Sequence, residues 1–201
     1  MKIERFEAGP LGANNYLLID NKEAVLIDCS EAKPEILKTL DGINLKYILL
    51  THGHFDHVLG VNEMREKTGA KVYIHQNDLP RMQETSAIMQ TFGVSGVEVP
   101  QANEYLKDGD VFGFGDFEIK VIQTPGHTQG CVCYLVEDKL FSGDTLFKDS
   151  VGRCDLPGGD FAKMSDSIKN ILFKLDENIT VYPGHGPETT IGYEKKYNEL
   201  I

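Results

Sequence analysis

The sequence predicts a layered α/β protein, and three patterns lead there. Short apolar runs of strand character recur in two groups, one ending near His75 and one starting near Val111. Between and after them, apolar residues return every three or four positions, the mark of a helix with one buried face. Several of the apolar runs also stop abruptly in a histidine or an aspartate set among glycines. Two groups of strands with helices beside them fit a layered architecture.

Taken in order, Met1–Glu7 and Asn14–Ile19 alternate like strands, and Asp20-Asn21-Lys22 is a turn signal before the strand Ala24–Asp28. Pro34 opens a short helix with Ile36, Leu37 and Leu40 on one face, since proline is tolerated in a first turn. Tyr47–Leu50 reads as a buried strand, Val58–Thr68 as a helix closed by Gly69, and Lys71–His75 as a strand. From Asn77 to Asn103 the pattern is weak. A surface helix and loop is the plain expectation; a mobile wall with adaptable Met82 and Met89 is the sharper one. In the second group, Gly115-Asp116 joins Val111–Phe114 to Phe117–Thr124 as a hairpin, and Glu137-Asp138 joins Cys131–Val136 to Lys139–Ser142. Asp160 is placed to cap a long helix with Phe161, Met164, Ile168, Ile171, Leu172 and Leu175 inward. Ile179–Tyr182 is the last strand, and Tyr193–Ile201 is long enough for one short helix.

Five of the six histidines fall at three places. Thr51-His52-Gly53-His54-Phe55-Asp56-His57 packs four candidate ligands into six residues directly after the Tyr47–Leu50 strand. His127 lies in Pro125-Gly126-His127-Thr128 and His185 in Pro183-Gly184-His185-Gly186, with Asp144 between them in Ser142-Gly143-Asp144-Thr145. Imidazole and carboxylate suit zinc, iron or manganese. Seven such groups are too many for one closed tetrahedral site, so two adjacent metals are expected. His75, outside this pattern at a strand end, is expected to be structural.

The ordered set His-x-His-x-Asp-His, then His, Asp and His, with Asp28 ahead of it, resembles the metallo-β-lactamase superfamily and spans nearly the whole chain. The resemblance implies a four-layer αββα sandwich with the metals at one edge between the sheets. It implies that His52, His54 and His127 hold one divalent ion, that Asp56, His57 and His185 hold the second, and that Asp144 bridges both. Asp28 would orient ligand imidazoles from behind. Zinc is the first expectation, with iron or manganese as alternatives. Within the superfamily the chain looks most like the glyoxalase II group, through Ser142-Gly143-Asp144-Thr145-Leu146-Phe147 and Gly152-Arg153-Cys154-Asp155-Leu156-Pro157-Gly158-Gly159-Asp160. Full-length glyoxalase II adds a helical domain with much of its glutathione surface, and only 16 residues follow His185 here.

The implied reaction is hydrolysis of a thioester, S-lactoylglutathione or a relative built on another thiol, by a hydroxide shared between the metals. Asp56 and Asp144 are the acids at that centre, and Arg153 is a candidate to grip a substrate carboxylate, or else to hold its own loop in an ion pair. The alternatives are a persulfide dioxygenase, with one iron on the residues matching His54, His127 and Asp144, or another hydrolase such as a lactonase.

Composition limits what else the chain can be. At 201 residues it is expected to form one domain covering 1–201, burying roughly 70% of its unfolded surface. Hydrophobic and charged contents of 41% and 25% are ordinary. No apolar run is long enough to span a membrane, and the charged N-terminus has no export signal, so a cytoplasmic location is expected. With 31 acidic against 20 basic residues the net charge is −11, which argues against a nucleic-acid partner. The expected partner is a small thioester; oligomeric state is left open. Cys29, Cys131, Cys133 and Cys154 form no disulfide framework. Cys131 and Cys133 read as small core residues on one strand face, whereas Cys29 or Cys154 could be reactive.

Overall fold

The computed structural model describes residues 1–201 and divides into two compact units, Met1–Leu106 with Gly113–Phe117, and Lys107–Phe112 with Glu118–Ile201. The first unit holds strands β1 (Lys2–Ala8), β2 (Ala13–Asp20), β3 (Glu23–Ile27), β4 (Asn44–Leu49), β5 (Lys71–His75) and β6 (Glu104–Leu106), hydrogen-bonded in that order. β1, β2 and β3 pair antiparallel, as tight turns allow; β3 through β6 run parallel. Parallel neighbours need crossovers. These are supplied by helix α1 (Pro34–Thr39), by α2 (Phe55–Val58) with α3 (Val61–Thr68), and by α4 (Leu79–Gln83) with α5 (Thr85–Thr91).

Leu17, Leu26, Ile48, Val72 and Ile74 from the strands meet Ile36, Val61 and Met64 from the helices in one buried cluster. Each such side chain contributes about 1.5–3 kcal/mol by leaving water. α3 ends as expected: Gly69 takes φ +73° and its N–H closes on the Arg65 carbonyl at 2.8 Å.

The second sheet has the order β14–β13–β10–β9–β8–β7, with β7 (Val111–Phe114), β8 (Phe117–Gln123), β9 (Val132–Val136), β10 (Lys139–Gly143), β13 (Thr180–Pro183) and β14 (Thr189–Thr190). A separate two-stranded ribbon, β11 (Leu146–Phe147) with β12 (Ser150–Val151), follows β10. Helices α6 (Phe161–Asp166) and α7 (Ile191–Tyr197) complete this part. Met164, Ile168, Leu172 and Ile191 pack with Cys133, Leu140 and Val181. The predicted Gly115-Asp116 turn is present; Gly115 takes φ +52°, and the turn's amides donate to Glu23 Oε2 at 2.8 Å and Asp20 Oδ2 at 2.9 Å.

Several expectations are corrected. The helix expected from Val58 to Thr68 starts at Phe55 and breaks at Leu59–Gly60. A Cβ on Gly60 would come within 2.6 Å of the Glu31 backbone, and Gly60 N–H donates to Cys29 O, so tertiary packing interrupts the periodicity. The long helix after Asp160 begins as expected, with Asp160 Oδ1 capping the Lys163 amide at 3.1 Å. It then widens into a π turn at Ser167–Ile171 and tightens into a 3₁₀ turn at Leu172–Lys174, and Phe161 is exposed rather than inward. The C-terminal helix starts at Ile191, capped by Thr190 through the Tyr193 amide. Cys131 lies just outside β9, where its sulfur meets the Thr128 amide and hydroxyl at 3.3 and 3.0 Å. The 77–103 segment holds two short helices, and Met82 and Met89 are buried, so neither presents a flexible thioether to a cleft; Phe92 and Val94 are the exposed large apolar residues there. No helix is long and apolar enough to cross a membrane.

Candidate metal centre

The first unit gathers His52, His54, Asp56, His57 and Asp28. β4 ends at Leu49, and the chain then turns through Thr51–His54 into α2, with His54 extended at the N-cap. Asp56 and His57 follow in the first helical turn. The ring centroids of His52 and His54 are 4.9 Å apart and those of His52 and His57 are 4.2 Å apart.

Asp28 stands behind this loop, at φ +57° and buried. Its Oδ1 accepts the Thr51 amide at 2.8 Å; its Oδ2 accepts both the Thr51 hydroxyl and His57 Nδ1–H at 2.8 Å. A buried carboxylate without partners is costly, and these three donors satisfy it. Thr51 has one hydroxyl proton and gives it to Asp28, so its contact with His52 Nδ1, at 3.1 Å, must be one in which the ring donates. Both imidazoles thereby donate from Nδ1, and the neutral rings present their lone pairs at Nε2.

The second unit gathers His127, Asp144, His185 and Arg153. β10 ends at Gly143 (φ +49°), which turns Asp144 off the strand, and β13 ends at Pro183 immediately before Gly184-His185. His127 Nδ1 lies 2.6 Å from the Arg153 carbonyl oxygen, which can only accept, so Nδ1 donates and the neutral ring presents its lone pair at Nε2. Asp144 Oδ2 stands 3.6 Å from His127 Nε2 and 3.7 Å from His185 Nε2, and the His185 ring meets Phe147 edge-on at 6.3 Å. Gly152 leaves room for this: a side chain there would strike the Asp144 carbonyl and lie 3.3 Å from His127 Cβ.

These donors fit a divalent cation. Two ligand atoms bound about 2.0–2.2 Å from one tetrahedral ion stand roughly 3.3–3.6 Å apart. Asp144 to His127, Asp144 to His185, and Asp56 Oδ2 to His57 Nε2 at 3.7 Å all lie near that spacing and beyond ordinary hydrogen-bond length. The backing of three ring Nδ1 atoms by fixed acceptors is the usual way a protein aims Nε2 at a metal.

Other expected residues settle differently. The Arg153 guanidinium forms a fork with Asp155, at 2.7 Å from Nε and from Nη2, and both side chains are exposed. The fork holds the Asp155 carboxyl down to about 2, chiefly through the Arg153 hydrogen bonds. Burial pushes the thiols of Cys29, Cys133 (to about 11) and Cys154 upward, away from the thiolate character that a reactive Cys29 or Cys154 would need. His75 accepts the Asn77 amide at Nδ1, 3.2 Å away, and burial lowers its pKa; this is a structural histidine. Thr51, Asp78 and the Arg153 carbonyl were not singled out by the sequence. Asp78 is fully buried, with Oδ2 2.8 Å from the Gly53 amide.

Two sheets with crossover helices, and strand ends presenting histidine and aspartate in metal-ready tautomers, define a metal-dependent enzyme class. The chain belongs to the metallo-β-lactamase superfamily, whose family model matches residues 8–185. It is 36% identical to the probable metallo-hydrolase YqgX of Bacillus subtilis (100% of this chain, 98% of that protein). It is 30% identical to hydroxyacylglutathione hydrolase GloC of Haemophilus influenzae (90% and 89%). Among solved structures it resembles the B3 metallo-β-lactamase BLEG-1, with a TM-score of 0.90 and 34% identity over 99% of both chains. TTHA1623 in a di-iron-bound form gives 0.86 and 36% identity over 98% of this chain and 100% of that one. ETHE1 from Myxococcus xanthus gives 0.83 and 28% identity (99% and 84%). The α/β class expected from the sequence is the observed one, with the metallo-β-lactamase fold of these neighbours.

Proposed function

We propose that the two half-sites work as one binuclear centre, with His52, His54 and His127 on one divalent ion, Asp56, His57 and His185 on the other, and Asp144 serving both. The observation that carries this is the single Asp144 oxygen standing at ligand spacing from His127 and His185 alike. The reaction we propose is hydrolysis of a thioester of the S-lactoylglutathione type. Support comes from the GloC similarity and from the chemistry of a thiolate leaving group, which needs no strong acid beside it.

When bound, such a metal pair supplies a water acidified toward a pKa of about 7 and polarises a carbonyl oxygen. The protein's part is positioning. Asp28, directly and through Thr51, holds His57 and His52 by Nδ1 and so fixes the direction in which Nε2 points. The Arg153 carbonyl does the same for His127. Asp144, on a chain reversal at Gly143, stays between two imidazoles. The Arg153 guanidinium could bind a substrate carboxylate by exchanging Asp155 for it; both are exposed, so the exchange costs little.

A second reading is a persulfide dioxygenase, favoured by the similarity to ETHE1. Steady-state hydrolysis of S-D-lactoylglutathione by metal-loaded protein separates the two. A saturable reaction with kcat/KM above roughly 10⁴ M⁻¹s⁻¹ supports the thioesterase. Oxygen uptake with glutathione persulfide and no thioester turnover would replace it with the dioxygenase.

A further inference from the structure

The loop that carries His52 and His54 is held from two sides, and only one of them is explained by ligand orientation. Asp28 fixes its ends, at Thr51 and His57. Its middle, Gly53, is fixed by a different buried acid. Asp78 lies on the 3₁₀ turn Gln76–Asp78 that leads into α4; it is fully buried, and its Oδ2 accepts the Gly53 amide at 2.8 Å. The contact is close all round. A Cβ on Gly53 would strike the Asp78 carbonyl and come within 2.9 Å of the Met82 amide and 3.0 Å of Arg81 Cβ. The start of α4 is therefore pressed on the one residue between the two histidines, and a side chain there would push the loop away.

We infer that Asp78 is a positioning residue for the metal half-site: its carboxylate, by holding the Gly53 amide, sets the direction in which His52 and His54 point. The peptide groups on either side of Gly53 belong to the backbone of these two histidines. Rotating the Gly53 amide off Asp78 would turn the Cα–Cβ bonds of both. A buried amide that lost this acceptor would also seek another, and so favour a different loop conformation. The inference rests on the reading of His52 and His54 as metal ligands, and on nothing about the substrate.

Cobalt(II) binding to the whole protein tests it, using the d–d absorption spectrum and competition with a chelator. Asp78→Asn keeps a carbonyl oxygen in place for the Gly53 amide, whereas Asp78→Glu keeps the charge but moves the acceptor by one methylene. Asp78→Ala removes the acceptor. Positioning predicts cobalt affinity within about threefold of wild type for Asn, a loss of about 10–100-fold for Glu and Ala, and a changed d–d spectrum for Glu and Ala. The apoprotein circular dichroism spectrum should be retained in Asn and Glu. If Ala fails to fold, the Asn–Glu pair still decides. Weak binding in Asn with strong binding in Glu would show that charge, not placement, matters and overturn the inference. Lower melting temperatures with unchanged affinity and spectrum would overturn it too, leaving Asp78 purely structural. Absence of cobalt binding in the wild type would instead overturn the metal reading itself.

Discussion

At Asp144 a single carboxylate oxygen lies between His127 and His185, so its removal should be felt by both. Asp144→Ala is expected to lose at least one metal ion per chain, by elemental analysis, and to lower kcat/KM at least 100-fold; unchanged metal content and rate would sink the bridging role. A second residue-scale prediction concerns Asp155, whose carboxyl is held to about 2 by Arg153. Its folded pKa is depressed, so the pair's contribution is present above the unfolded value of about 3.9 and is lost as pH falls through about 2. Side-chain carboxyl NMR should place the midpoint near 2, and Arg153→Gln should return it toward the ordinary carboxylate range. The histidine ligand candidates were legible because metal-binding spacing leaves a mark in sequence. Thr51 and Asp78 were not, since Thr51 gives its amide and hydroxyl to Asp28 and Asp78 accepts the Gly53 amide, at separations no motif encodes. The Arg153 carbonyl carries no sequence signature at all.

The start of the helix after Asp160 was legible, whereas the change of character within it was not. Asp160 announced its helix, but Ser167 sends its hydroxyl to the Pro125 carbonyl at 2.8 Å, within the stretch that opens into a π turn. That contact is tertiary, and periodicity alone is blind to it. Gly60 is similar: a helical pattern ran through it, and only the neighbouring Glu31 backbone explains the break. Gly60→Ala is therefore expected to cost about 1–3 kcal/mol by overpacking, read as a lower urea midpoint at constant slope. The β11–β12 ribbon was missed because its strands are two residues long. It is held by Glu194 of α7, a buried acid that accepts from the Asp149 amide, Thr189 Oγ1 and Asn198 Nδ2. Asn198 in turn donates to the Ser150 carbonyl. Glu194→Ala should destabilise by roughly 1–3 kcal/mol through these stranded partners, checked by chemical denaturation.

For the molecule as a whole, the sequence conveyed the α/β class through two groups of strands, while sheet order and the edge strands β6 and β14 needed the structure. On the proposed reading, metal binding stabilises the folded chain by about 2.7 kcal/mol at a free metal concentration 100 times Kd. Loading with zinc should accordingly raise the melting temperature, and a chelator should return it to the apoprotein value. The net charge of −11 works in the same direction, because divalent cations offset part of the local negative charge.

The acceptor for His127 Nδ1 is a main-chain carbonyl, while the side chain of the same residue points its guanidinium at Asp155 in solvent. Position 153 thus serves two masters through separate atoms. Any amino acid placed there still offers that carbonyl, so the outer rim can be rewritten, in charge, size or polarity, while the imidazole behind it keeps its tautomer. On the proposed reading of Arg153 as a substrate contact, residue 153 is the place to begin changing which molecules this centre accepts without retuning the centre itself.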